Sequence, residues 1–292
     1  MHARALSGRA ASSRAAGAAL APLRPRASAA PAARAAAAPA GGGAPLPEAL
    51  LFDCDGVIVD TEKDGHRVSF NEAFKLKGLD HDWGVELYGE LLEIGGGKER
   101  MTKYFADCAD REPFLSTADP AARSALVKDL HLLKTDLFMR LVETGAMPLR
   151  PGVARLVGEA IAAGVPVAVC STSNERAVST IVRVMLGEDV AKVMRVFAGD
   201  VVPKKKPDPA IYLLAAKELG VDPKRCVVVE DSRIGLRAAK SAGMTCVVTK
   251  SSYTGGEDFT GADRVVESLD AGGVTLAGLA ELLAAAAATA AA

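Results

Sequence analysis

The 292-residue sequence predicts an α/β fold, a parallel sheet wrapped by helices with a separate helical domain inserted behind the first strand. Three observations predict it. Short apolar β-rich runs recur along the chain with helical patterns between most of them, as buried parallel strands require. Three of those helical patterns stop on glycine, which takes the left-handed conformation that ends a helix. More than a hundred residues separate the first β-rich run from the second, and most of them read as helix.

The first strand is "ALLF", residues 49–52. Residues 63–147 carry helical patterns such as "TKYFADCA" and "AARSALVKDLHLLKTDLFMRLVETG" and form the inserted domain. The Pro-Gly pair in "PLRPGVARL" (148–156) marks the return to the sheet. A helix over 153–164, the strand "VPVAVC" (165–170) and a helix over 174–186 follow. Then come the strand "RVFAG" (195–199), a helix over 208–220, the strand "CVVVE" (226–230), a helix over 233–243 and the strand "TCVVT" (245–249). The sheet domain thus comprises 48–62 and 148–270, and 271–292 is expected to be a C-terminal helix with a frayed Ala-rich tail, "AAAAATAAA".

Residues 1–47 hold six arginines (Arg4, Arg9, Arg14, Arg24, Arg26, Arg34), much alanine and no acidic residue, the composition of an organellar transit peptide. A disordered Ala/Pro/Arg arm that stays attached has the same composition, and mitochondrion and plastid are not separated by it. Without that segment the net charge is −7, which disfavours nucleic acid as a partner. No apolar run approaches the ~18–20 residues of a membrane span. The five cysteines (Cys54, Cys108, Cys170, Cys226, Cys246) form no CxxC pair and read as buried, reduced core residues.

Ligands collect at the carboxyl ends of parallel strands, so the residues delivered there are the candidate site. The first strand delivers Asp53 and Asp55, the second Ser171, Thr172, Ser173 and Asn174. A helix start in "KKKPDP" delivers Lys206, and a later strand Glu230 and Asp231. This set suits phosphoryl transfer. A carboxylate can attack phosphorus and divide a slow hydrolysis into two easier steps, and Asp53, first off the strand, is the candidate nucleophile. Attack by an anion on a phosphate dianion calls for a hard cation, and Mg²⁺ takes a few carboxylates plus water and substrate oxygens; Asp53 and Asp231 can supply that pair. Asp55, two residues along an extended segment, faces the same way as Asp53 and can serve as general acid and base. Lys206 and the Ser171 hydroxyl would stabilise the transferring oxygens.

Competing motifs fail on particular residues. Leu92 and Glu99 stand where a nucleotide P-loop around "GGGKER" needs glycine and Ser or Thr. "CSTSN" lacks the G-x-S-x-G elbow of a serine hydrolase.

"DCDGVIVDTE", "VAVCSTSN", "KKKPDP" and "VVVEDSRIGLRAA" resemble, in order, the four motifs of the haloacid dehalogenase superfamily, whose members are mostly Mg²⁺-dependent phosphatases. The resemblance runs from about residue 49 to 270 and implies a Rossmann-like core with a helical cap inserted after the first motif. It implies metal binding by Asp53, Asp231 and the Asp55 carbonyl, with Glu230 supporting the metal site.

A finer resemblance joins "DCDGVIVDTEKDGHRVSFNEAF", "YGELLEIGGGKERMTKYF", "LRPGVARLV" and "AGDVVPKKKPDPAIY" to the CbbY-type xylulose-1,5-bisphosphate phosphatases of plastids and photosynthetic bacteria. That implies hydrolysis of the C1 phosphate of a small sugar bisphosphate, removal of a Rubisco inhibitor, and a plastid stromal location. It also implies Glu62, His66, Tyr88, Lys98 and Arg100 as substrate-facing residues. Lys98 and Arg100, behind three glycines, are placed to bind a second phosphate. A β-phosphoglucomutase-like phosphomutase and a phosphoglycolate phosphatase remain alternatives, and the sequence sets no oligomeric state.

Overall fold

The computed structural model describes residues 44–291 apart from residue 95. Most of the segment assigned as transit peptide, and Gly95 of the glycine run, lie outside the described residues. Residues 44–47 pack on the sheet domain: Pro47 is buried and Leu46 joins a core cluster.

Six parallel strands form one sheet in the order β3-β2-β1-β4-β5-β6. They are β1 Ala49–Phe52, β2 Val167–Ser171, β3 Arg195–Ala198, β4 Cys226–Glu230, β5 Thr245–Thr249 and β6 Arg264–Val266. Leu51 pairs with Ala168 on one side and Val228 on the other, so β1 is central. Every residue of β1, β2, β4 and β5 is buried, which is why these strands read as unbroken apolar runs rather than alternating ones. Strand alternation divides the core in two. Leu50, Phe52 and Cys54 enter one cluster, while Ala49 and Leu51 enter the other with Cys170.

Between β1 and β2 the chain makes a π-type turn, Thr61–Arg67, that runs directly into helix α1 Val68–Leu76. Helices α2 Val85–Leu91, α3 Gly97–Asp107 and α4 Pro120–Thr144 follow. α4 starts with the Asp119 carboxylate accepting from Ala122 N at 2.8 Å and Pro in its first turn, and stops at Gly145 in the left-handed conformation. These helices bury a core of their own in which Trp83 lies 4.7 Å from Phe70 and 5.0 Å from Phe74, between ring centroids. Each such ring contributes about 1.5–3 kcal/mol on burial, so the insertion is held by its own contacts. Phe105 lies in the same core, as expected.

After the return, α5 Val153–Ala162, α6 Glu175–Ile181, α7 Glu188–Val193, α8 Ala210–Leu219, α9 Arg233–Ser241 and α10 Leu276–Ala291 flank the sheet. Three expectations are corrected. The Ala-rich tail is helix to Ala291 rather than frayed: Leu276, Leu279 and Leu283 anchor α10, Glu159 Oε2 accepts from Leu276 N at 2.8 Å, and alanine extends a helix most readily. Cys108 is half-buried and donates its thiol to Tyr104 O, whereas the other four cysteines are buried; all five are free. Lys206 stands on the loop ahead of α8, not at its first turn. β6 and α7 have no counterpart in the sequence reading, because β6 is three residues long and half-exposed and α7 buries no side chain.

Candidate active site

Strand order reverses about β1, with β2 on one side and β4 on the other, so a crevice opens at the carboxyl ends of β1 and β4. Asp53 leaves β1 there, its N–H donating to Val229 O at 2.9 Å, and β4 ends on Glu230 and Asp231. The Lys206 ammonium donates to Asp53 Oδ1 and Glu230 Oε1, both at 2.6 Å. Glu230 is fully buried and both its oxygens are engaged: Tyr212 OH donates to Oε1 at 2.6 Å and Asp231 N to Oε2 at 3.1 Å. Gly235 is required beneath it, since a Cβ there would lie 1.9 Å from the Glu230 carboxylate.

Three buried carboxylates meet one ammonium. Burial pushes Asp53 up to about 7 from an ordinary 3.8, with the Lys206 charge pulling the other way. Burial, then the Glu230 charge, pushes Asp231 up to about 8. Burial pulls Lys206 down, but Asp53 and Glu230 outweigh it and hold the ammonium protonated.

Asp55 occupies a different environment. Its Oδ1 accepts from Thr61 Oγ1 at 2.7 Å, and its Oδ2 from Ser173 Oγ at 2.6 Å and Ser171 Oγ at 3.2 Å. Ser171 is thus directed at Asp55, and it also accepts from Ser173 N at 3.0 Å. Thr172 is half-buried beside it. Asn174 does not face this cluster with a free side chain: its Oδ1 caps α6, accepting from Arg176 N at 3.0 Å. Gly56 carries φ +80°, and a Cβ there would fall 1.9 Å from Asp231 Oδ2, so only glycine lets this loop close on β4.

A cleft of about 640 Å³ separates this cluster from the insertion, lined by Asp55, Asp60, Glu62, Gly89, Asp231 and Tyr253 among others. Tyr88, expected to face substrate, is instead fully buried behind the cleft: its OH donates to Glu62 Oε2 at 2.7 Å and accepts from Arg100 Nη1 at 2.9 Å. Arg100 is buried and spends Nε on Leu91 O at 2.9 Å, so it braces the insertion rather than presenting a free guanidinium. Lys98 is exposed on the first turn of α3. His66 is neutral: burial, then the Lys134 charge, holds its imidazolium well below the usual range, and its Nδ1 accepts from Lys134 Nζ at 2.8 Å.

A model of the haloacid dehalogenase-like hydrolases matches residues 47–243. The chain belongs to that family. The CBBY-like protein of Arabidopsis thaliana is 63% identical over 224 residues, covering 77% of this chain and 70% of the relative. Protein CbbY of Cereibacter sphaeroides is 43% identical over 234 residues, covering 80% and 96%. The crystal structure of a CbbY variant from Rhodobacter sphaeroides in complex with xylulose-(1,5)bisphosphate matches with a TM-score of 0.59 at 42% identity, covering 76% of this chain and 95% of that one.

As a haloacid dehalogenase-like hydrolase the chain is an enzyme, and its six-stranded sheet is the Rossmann-like core of that family. The donor set suits a hard cation: oxygen ligands of Asp53, Glu230 and Asp231 lie within 4.8 Å of one another, and burial has left two of them short of counter-charge. Of the three, Glu230 has both oxygens hydrogen-bonded.

Sequence reasoning missed Lys134, Tyr253 and Tyr212. Lys134 sits mid-helix in "HLLKTDLF" and carries no motif. It is buried over the rings of Phe70 (4.8 Å) and Phe138 (5.3 Å), and burial lowers it to about 8. Tyr253, on the loop after β5, packs on Tyr88 at 5.8 Å between centroids and lies over Gly89, where a Cβ would be 3.2 Å from its ring. Tyr212, five residues after Pro207, could have been sought as the partner of a buried Glu230.

Proposed function

We propose that the chain is a Mg²⁺-dependent phosphatase acting on a small sugar bisphosphate, with xylulose 1,5-bisphosphate as substrate and xylulose 5-phosphate and phosphate as products. The observation that carries the reading is the pair of differently held carboxylates at the end of β1. Asp53 is bound by Lys206 and Asp55 is held by three hydroxyls.

In the first step an Asp53 oxygen attacks phosphorus and the ester P–O bond breaks, with Asp55 giving its proton to the leaving alkoxide. In the second, Asp55 takes a proton from water as that water attacks phosphorus, and the bond to Asp53 breaks to release phosphate. Lys206 holds Asp53 in place and offsets charge on the phosphoryl oxygens. Thr61, Ser171 and Ser173 fix the Asp55 carboxyl. Asp53, Asp231 and the Asp55 carbonyl would hold Mg²⁺, which when bound neutralises the approach of carboxylate to phosphate.

Recognition of the rest of the substrate would fall to Glu62 and to the insertion. Glu62, braced by the buried Tyr88, would bind sugar hydroxyls, while His66, Lys134 and Lys98 would meet the second phosphate. The bisphosphate reading is supported by the CbbY relatives and by the complex of one of them with xylulose-(1,5)bisphosphate. A plastid stromal location is supported by the arginine-rich, acid-free composition of the first 47 residues and by the plant relative.

The test is phosphate release from xylulose 1,5-bisphosphate, ribulose 1,5-bisphosphate, phosphoglycolate and glucose phosphates, with and without Mg²⁺. Preferential, Mg²⁺-dependent release from xylulose 1,5-bisphosphate is expected. Preference for phosphoglycolate, or isomerisation of a hexose phosphate without free phosphate, would overturn the assignment.

A further inference from the structure

Arg150, in "PLRPGV", takes no part in the reaction just described, yet it ties two of the segments that build the site to the end of β6. It lies on the return from the insertion, where Leu149 pairs antiparallel with Val59 and Arg150 N donates to Ile58 O at 2.9 Å. The guanidinium then leaves that strand. Nη1 donates to Gly56 O and, at 3.3 Å, to Thr249 O. Nη2 donates to Lys250 O, to Glu267 O at 3.0 Å and to Thr249 Oγ1 at 3.3 Å. A planar fork of five fixed donors can serve more carbonyls at once than an ammonium with three.

Two of the carbonyls it gathers, those of Gly56 and Lys250, belong to segments that build the site. Gly56 directly follows Asp55 and backs onto the Asp231 carboxylate so closely that no Cβ fits. Lys250 opens the loop carrying Ser252 and Tyr253, and Ser252 N donates to Asp60 Oδ2 at 3.1 Å. The charges of Asp60, Asp231 and Glu267 act on the guanidinium and oppose its burial cost.

We propose that Arg150 is a positioning residue: by fixing the Gly56 peptide against the ends of β5 and β6, it sets the approach of Asp55 and Asp231 to the reacting phosphate. The inference rests on the phosphatase reading above. It predicts that Arg150 governs turnover and not substrate affinity, because its own hydrogen bonds reach none of the side chains assigned to the sugar.

Arg150→Ala and Arg150→Lys in the full chain are compared with wild type on xylulose 1,5-bisphosphate and on an aryl phosphate. Expected in Arg150→Ala is a fall in kcat of about 100-fold with KM within about twofold, on both substrates. Added guanidinium ion should restore about tenfold of that loss and leave wild type unimproved. Arg150→Lys should keep wild-type secondary structure and a similar thermal midpoint while recovering little of the turnover, so the test stands even if the alanine variant does not fold. Wild-type kcat in either variant, or a raised KM with kcat maintained, would overturn the role. Wild-type enzyme inactive on the sugar bisphosphate but active on the aryl phosphate would sink the substrate assignment alone, since the Arg150 comparison is then read on the aryl phosphate. Wild type inactive on both would overturn both.

Discussion

The sheet end and the insertion treat buried charge in opposite ways. At the sheet end, Lys206 is bound by two carboxylates at 2.6 Å, and negative charge is in excess. In the insertion, Lys134 and Arg100 are buried cations without a carboxylate salt bridge among the described residues; one leans on an imidazole and two rings, the other on carbonyls and a phenol. The sheet end therefore suits a cation and the reacting phosphate together, whereas the insertion buries two cations inside a segment that turns glutamates, Glu86 and Glu93, to the cleft.

The severest break of that division is at the nucleophile. Asp53→Asn should reduce phosphate release on the order of 10⁴-fold while circular dichroism shows an unchanged fold; substantial residual turnover would remove the sheet end from the chemistry. Next is its counter-charge. Lys206→Met strands Asp53 and Glu230 without their ammonium, and should cost about 3–5 kcal/mol in a urea melt along with nearly all activity.

The excess negative charge should also appear in the pH dependence of stability. Asp53 and Asp231 titrate higher folded (about 7 and about 8) than their ordinary 3.8, so the folded state binds more protons across that interval. Without divalent cation, the thermal midpoint should fall as pH rises from about 4 to 8, and Mg²⁺ should flatten the slope. A midpoint that climbs through this range in chelator would show that the carboxylates are not short of counter-charge.

The smallest expected effects sharpen the comparison within the insertion. Lys98→Ala, at an exposed position, should leave the melting curve unchanged and raise KM for a bisphosphate about tenfold. Arg100→Ala should instead destabilise by about 1–3 kcal/mol, because its buried acceptors lose their donor. Equal effects of the two on KM alone would return Arg100 to the substrate.

Much of this was legible in advance, for identifiable reasons. Strands buried on both faces announce themselves as apolar runs, so "ALLF", "CVVVE" and "TCVVT" coincide with β1, β4 and β5. The acids that end them stand out because charge is costly beside such runs. Lys134 was not legible, since a lysine in a long helix looks like part of a solvated face until α4 is packed against the turn holding His66. Nor was the division between Lys98 and Arg100, two residues apart on one helix, one exposed and the other buried. Tyr253 became visible only when the loop after β5 met the insertion.

The sequence by itself determined the order of strands and helices, the insertion behind β1, and the acids, hydroxyls and lysine offered at the strand ends. Those depend on local propensity, on burial along one run of chain and on motif order. The tertiary structure decided which hydroxyls hold Asp55, that Glu230 is saturated by Lys206, Tyr212 and Asp231 N, and that one arginine ties Gly56 to the ends of β5 and β6. Each of those contacts joins residues brought together only when the sheet closes, and hydrogen bonds between such distant partners leave no period or spacing in the chain.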